Sequence, residues 1–320
     1  MSDGMMTAGG GQPGRQRPGE QVDVAVRHLR PTGALEMFDR TFLVWRRRPL
    51  EFLGWGALSA LPALVVELIM LWRSQREPEL SPLAVAPWAF LAFLLQLLPV
   101  TLAVRLAFVL LLRPSPSLSR LNLRRVLWAY PRLVVTVLAT LFGGALFLQF
   151  GLAATEAFQP SLVSVIALLL AVGVALWFAA NMAPAVVLVA TGLEELFDAW
   201  RSSWRLMLHT RISSSWWREN AYWRLALLSS FPLICHGLLA AALRIGYWAD
   251  TGVWLGIGDA PLAFSAVETV AVAAADAFLV PWGCIALVSL FLELAIRLVG
   301  LDFQIRLGGL GGVDSATADE

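Results

Sequence analysis

Six apolar runs, each long enough to cross a bilayer, leave this chain few folds to adopt. About 20 apolar residues are needed to traverse roughly 30 Å of hydrocarbon. Leu50–Trp72, Pro87–Leu112, Leu133–Ala154, Leu162–Ala190, Tyr222–Leu243 and Ala271–Leu298 all meet that length. In lipid every backbone amide and carbonyl must be satisfied by the chain itself, so runs of this kind become helices. The expected fold class is all-α, an integral membrane bundle of about six transmembrane helices with interfacial amphipathic helices on its cytoplasmic side. The second, fourth and sixth runs exceed the need and are expected to tilt, kink or begin as interfacial segments.

Composition narrows the function classes. The chain is 58% apolar and 15% charged, with a mean hydropathy of +0.70, where soluble domains average about 45–50% and about 25%. Its 24 cations, all arginine, nearly balance 23 acids, so no basic excess remains to neutralise phosphates and no nucleic-acid partner is expected. Cys235 and Cys284 fall inside apolar runs and read as small buried side chains. His28, His209 and His236 are scattered, and no spacing of His, Cys and Glu matches a metal site. G-x-S-x-G, H-E-x-x-H and phosphate-loop patterns are missing as well, so neither catalysis nor a cofactor is expected.

Arginine placement sets the expected orientation, because positive residues in short loops stay in the cytoplasm. Arg40, Arg46, Arg47 and Arg48 precede the first run, and Arg113, Arg120, Arg124, Arg125 and Arg132 lie between the second and third. Arg201, Arg205, Arg211 and Arg218 lie between the fourth and fifth, with Arg224 just inside the fifth. Only Arg73, Arg76 and Arg244 fall on the other side. The expected location is a bacterial plasma membrane with both termini cytoplasmic. Residues 1–30, rich in Gly, Pro and Gln, are expected to form a disordered tail, 31–307 the membrane domain and 308–320 a flexible tail. Because the first long apolar stretch begins only at Leu50, the chain is expected to enter the membrane by its own first span.

Leu193, Leu196, Phe197, Trp200, Trp204, Met207 and Leu208 recur at helical spacing. They form one apolar stripe, expected either to lie in the inner interface facing lipid or to pack against the protein. Membrane lipids, another membrane protein or a second copy are the partners this implies. Glu36, Met37, Phe38, Asp39, Trp45 and Arg46 match Glu195, Leu196, Phe197, Asp198, Trp204 and Arg205 at identical spacing. Leu127, Trp128 and Pro131 resemble Val44, Trp45 and Pro49, which suggests an interfacial helix and two spans used three times. Chance similarity between short amphipathic segments remains the competing account.

Ionisable residues inside spans are functional candidates. Arg105, Glu293, Arg297 and Glu51 are expected to lie toward the cytoplasmic side of their spans. Two readings stand: an Arg105–Glu293 pair tying the second span to the sixth, or a polar cavity. On the other side Glu67, Glu268 and Asp276, with Arg244 as counter-charge, form either an acidic vestibule or residues wetted at the interface. Pro62, Pro99, Pro184, Pro232 and Pro281 fall within five spans, and each removes a ladder hydrogen bond. Gly54-Trp55-Gly56, Gly143-Gly144-Ala145 and Ala273-Ala274-Ala275 allow close helix approach.

The start Leu29-Arg30-Pro31, Leu35-Glu36, Phe38-Asp39-Arg40 and Arg46-Arg47-Arg48 resembles bacterial membrane proteins of the glycerophosphoryl diester phosphodiesterase membrane-domain type. The stretch Leu290-Phe291-Leu292-Glu293-Leu294-Ala295-Ile296-Arg297 with Gly300, Asp302 and Phe303 is similar to that family's closing motif. Ala295 and Val299 depart from it, where an arginine and a glutamate are expected. The resemblance implies a membrane domain of around six spans and no phosphodiesterase activity, since the hydrolase of that family is a separate soluble barrel. A non-enzymatic scaffold or accessory subunit is the expected role. The alternative is a small-molecule or lipid transporter using Arg105 and Glu293.

Overall fold

The computed structural model describes residues 34–74, 76, 82–112, 123–158, 162–209, 220–255 and 260–299. The tails expected at 1–30 and 308–320 lie outside these residues, as does the side chain of Arg297. Among the described residues eight helices follow one another: α1 (Ala34–Arg47), α2 (Pro49–Ser74), α3 (Pro82–Leu112), α4 (Leu123–Phe158), α5 (Leu162–Thr191), α6 (Leu196–His209), α7 (Ala221–Thr251) and α8 (Leu262–Val299). No strand occurs among the described residues. Six helices, all but α1 and α6, are long and apolar enough to cross a membrane, so the molecule is a multi-pass helical membrane bundle.

The helices outrun the expected spans, because helical pairing continues where hydrocarbon stops. α4 starts at Leu123 rather than Leu133, α7 continues to Thr251 and α8 starts at Leu262. In the first case the arginine-rich segment proposed as a third repeat copy is the opening of α4 itself, whereas α1 and α6 are separate 14-residue helices. Local chemistry fixes several ends. Asn220 caps α7 by accepting from the Tyr222 amide at 2.9 Å, and Gly252, at φ 71°, closes it with a bond to the Trp248 carbonyl. Gly192, at φ 72°, ends α5. Its amide bonds the Val189 carbonyl at 3.0 Å and the Leu193 amide reaches Leu188 at 3.1 Å, the paired closure of a Schellman turn that redirects the chain into α6.

α8 is the axis of the bundle. From Leu279 to Ala295 it buries Trp282, Ile285, Val288, Leu290, Phe291, Leu292 and Leu294 against α1, α2, α3, α5, α6 and α7. Val104–Leu110 of α3 and Met182–Ala190 of α5 complete the core, which therefore sits at the end of the bundle where α1 and α6 lie. Small residues set the spacing: a Cβ on Gly56 would collide with the Ala277 carbonyl, and one on Gly143 with the Phe178 ring. Gly54 and Gly144, by contrast, face open space. Beyond Thr136 α4 packs chiefly on α5, with Gly151 against the Ala171 methyl. Phe142, Phe150, Leu169, Leu170 and Leu176 of this hairpin remain exposed on its outside.

Candidate functional site

The polar chemistry of the membrane-spanning part gathers where α7 lies antiparallel to α8. Arg224, in the first turn of α7, reaches Glu293 near the end of α8, and both side chains are only 2% exposed. Halfway along, His236 meets Asp276 at 2.9 Å, with about a third of each side chain uncovered. Farther still, Arg244 lies 3.8 Å from Glu268. The last two rungs are related by eight residues along each helix in opposite senses, about 12 Å at 1.5 Å per residue. Between the first and second rungs α7 advances twelve residues and α8 seventeen, across a stretch that holds Pro232 and Pro281. Each rung sets a basic side chain of α7 against an acid of α8.

The Arg224–Glu293 rung is the costliest. Two charges removed from water must recover their hydration from each other, so such a pair persists only with good geometry and is destabilising once one partner is lost. Along α8 two further buried polar atoms, Ser289 Oγ one turn before Glu293 and Trp282 Nε1 three turns before it, have no hydrogen-bond partner among the described residues. Trp282 lies in an aromatic cluster with Phe38 and Phe42 of α1 and Phe231 of α7, ring centroids 4.5 to 5.8 Å away. That cluster fixes α1 across the α7–α8 junction.

A second polar knot joins α5, α6 and α7. The Ser203 hydroxyl of α6 donates to the Asn181 carbonyl at 2.5 Å and accepts from the Ala185 amide at 3.1 Å. Those are the two groups an undistorted helix joins directly, so a foreign side chain is inserted in the α5 ladder beside Pro184. Fully buried Asn181 anchors the knot, donating to the Trp177 carbonyl at 2.7 Å and accepting from the Tyr222 hydroxyl at 2.9 Å. No isolated serine in a polar-looking helix face announces such a role.

Of the residues singled out by sequence, Glu293 and Asp276 enter the α7–α8 seam, and Glu268 forms its third rung with the expected Arg244. Glu67 of α2 lies near enough to Asp276 to act on it electrostatically. Glu51 is held instead by its neighbour Arg48 at 2.5 Å, one turn away in sequence. Arg105 is half-buried in the core-lining stretch of α3. The partners Arg224 and His236 were missed as site residues. A basic or titratable side chain inside an apolar run was the signal available for both.

The α6 stripe divides. Trp204 packs edge-on to Trp177 at 5.1 Å, and Trp200 donates to Thr136 at 3.2 Å. Of the two expectations for the stripe, packing against the protein holds for Trp200, Trp204 and Met207: the buried face is centred on Ala199, Ser203 and Met207, because the knot with α5 sets the helix's roll. Leu193 packs on the core, Leu196 is half-covered, and Phe197 is 75% exposed. Cys235 and Cys284 are both free thiols; Cys284 is buried as expected and Cys235 only half so.

No family model, curated protein or solved structure matches the chain. The class of protein therefore rests on the fold: a multi-pass membrane bundle with six candidate spans.

Proposed function

We propose that this chain is a non-enzymatic polytopic protein of a bacterial plasma membrane, with both termini cytoplasmic, that serves as a scaffold or accessory subunit. It engages a partner membrane protein through the outer part of the α4–α5 hairpin, while Phe197 and Leu208 of α6 rest in the lipid interface. One observation carries this reading. The hairpin is zipped to itself by Gly143 and Gly151, joins the core only through its near half, and leaves Phe150 and Leu169 exposed at 73% and 66%. An arm that is rigid without leaning on its own bundle is suited to hold another protein. The reading agrees with what the resemblance at the two ends of the chain implies, a membrane domain without a hydrolase.

Photoactivatable residues at 150 and 169, crosslinked in native membranes, test it against a control at Val187, which is fully buried. One discrete protein adduct from both arm positions and none from 187 is expected. Adducts with lipid alone would remove the accessory role.

A second reading, transport of a small molecule or lipid through a polar cavity at Arg105 and Glu293, is favoured by the buried Ser289 Oγ one turn from Glu293, which a polar guest would satisfy. A cysteine at position 105 that cytoplasmic thiol reagents never reach would count against it.

A further inference from the structure

His236 stands fifteen residues from either end of α7, about 22 Å from each at 1.5 Å per residue. That is the middle of the helix, within the apolar run expected to span the membrane. Its ring is engaged through both nitrogens, Nδ1 at 2.9 Å from the Pro232 carbonyl and Nε2 at 2.9 Å from Asp276 Oδ1. A carbonyl oxygen only accepts, so Nδ1 carries its hydrogen. A neutral ring would then turn a bare lone pair on Nε2 toward a carboxylate oxygen, two acceptors in contact with nothing between them. The contact is a hydrogen bond only when one further proton occupies it.

The surroundings favour that proton. The Asp276 carboxylate, 2.9 Å from Nε2, itself favours a cationic imidazole, and Glu67, from α2, lies within electrostatic reach of that carboxylate. The next charged pair outward, Arg244 and Glu268, is engaged with itself. The contacts of α1 with α7 are aromatic, Phe38 and Phe42 on Phe231. About a third of each side chain is left uncovered by the protein.

We propose that His236 and Asp276 form a proton-binding site within the α7–α8 seam, with the bound proton between His236 Nε2 and Asp276 Oδ1 in this structure. On release the proton passes to water, His236 becomes neutral and Asp276 stays anionic, so no other bond changes. The middle rung of the α7–α8 seam is then lost while the rungs at Arg224 and Arg244 still hold. Proton occupancy thereby sets how closely the centre of α7 lies on α8. This inference does not depend on the scaffold reading.

The test uses the full chain in lipid nanodiscs with nitrogen-15 histidine, in a His28→Gln/His209→Gln background so that His236 alone reports. At the acid end of a pH titration both ring nitrogens are expected to show N–H signals, and at the alkaline end Nε2 is expected to be bare. Asp276→Asn is expected to lose the doubly protonated signature at the acid end. A ring that stays neutral across the whole range overturns the proposal, as does a signature unchanged in Asp276→Asn. The titration of the parent protein decides alone if the Asn variant does not fold.

Discussion

Gly56 of α2 faces the carbonyl of Ala277 on α8 across a gap that leaves no room for a Cβ, with Pro281 Cγ only 2.8 Å from where that atom would stand. The contact brings two backbones together beside the aromatic centre of the core, in a solvent where close packing replaces the hydrophobic effect as the force between helices.

Gly56→Ala should therefore force α2 off α8. Overpacking of this kind costs about 1–3 kcal/mol, and a backbone carbonyl cannot yield as a flexible side chain does, so the upper half is expected. Gly144→Ala, which meets open space, should leave the thermal midpoint in detergent within a degree or so of the parent's, or rise slightly through helix propensity. Equal midpoints for the two variants would contradict the close approach.

The Arg224–Glu293 pair offers a double-mutant cycle. Either Arg224→Met or Glu293→Gln strands a buried group and should cost about 3–5 kcal/mol. The combined change should cost clearly less than the two singles together. Additive losses would mean that the two side chains do not depend on each other.

Ser203 gives a graded prediction. In Ser203→Ala the Asn181 carbonyl and Ala185 amide can close on each other, so a loss of only about 1 kcal/mol is expected. Ser203→Val keeps a wedge without a hydroxyl and strands both groups, for a loss of about 2–4 kcal/mol. Chemical denaturation in mixed micelles measures both, and the reverse order would exclude the inserted-hydroxyl geometry.

Trp204 and Phe197 share one stripe in sequence and part company in the fold. Trp204→Ala removes a ring packed on Trp177 and Phe178 and should cost about 3–5 kcal/mol. Phe197→Ala, on an exposed side chain, should stay within about 0.5 kcal/mol. A large loss from Phe197→Ala in thermal melts would place that residue in the core instead.

The spans were legible because length and hydropathy decide them without reference to any neighbour, and five prolines did not interrupt the helices that carry them. The small-residue contacts were legible only in part, since nothing local distinguishes Gly56 from Gly54. The orientation of the α6 stripe was not legible at all: lipid tails and a protein core are equally apolar, so a pattern of Trp and Leu cannot say which of them it faces. Glu293 stood out as an acid in an apolar run, but its partner Arg224 comes 69 residues earlier and belonged, by position, to the basic entry of the preceding span. His236 was set aside as a scattered histidine because its meaning lies in Asp276, 40 residues away on the next helix.

The central place of α8 has a consequence for assembly. Among the described residues seven helices precede it, and the core closes around it. Chains emerge and enter the membrane in order, so α2, α3 and α5 must each wait in lipid with faces that have no permanent neighbour. Arg224 waits longest exposed to error, a buried cation whose counter-charge is still to be synthesised. Insertion of α8 is thus the step that turns a set of independent hairpins into one protein, and a chain stalled before it would offer quality-control proteases an unneutralised arginine at the membrane border.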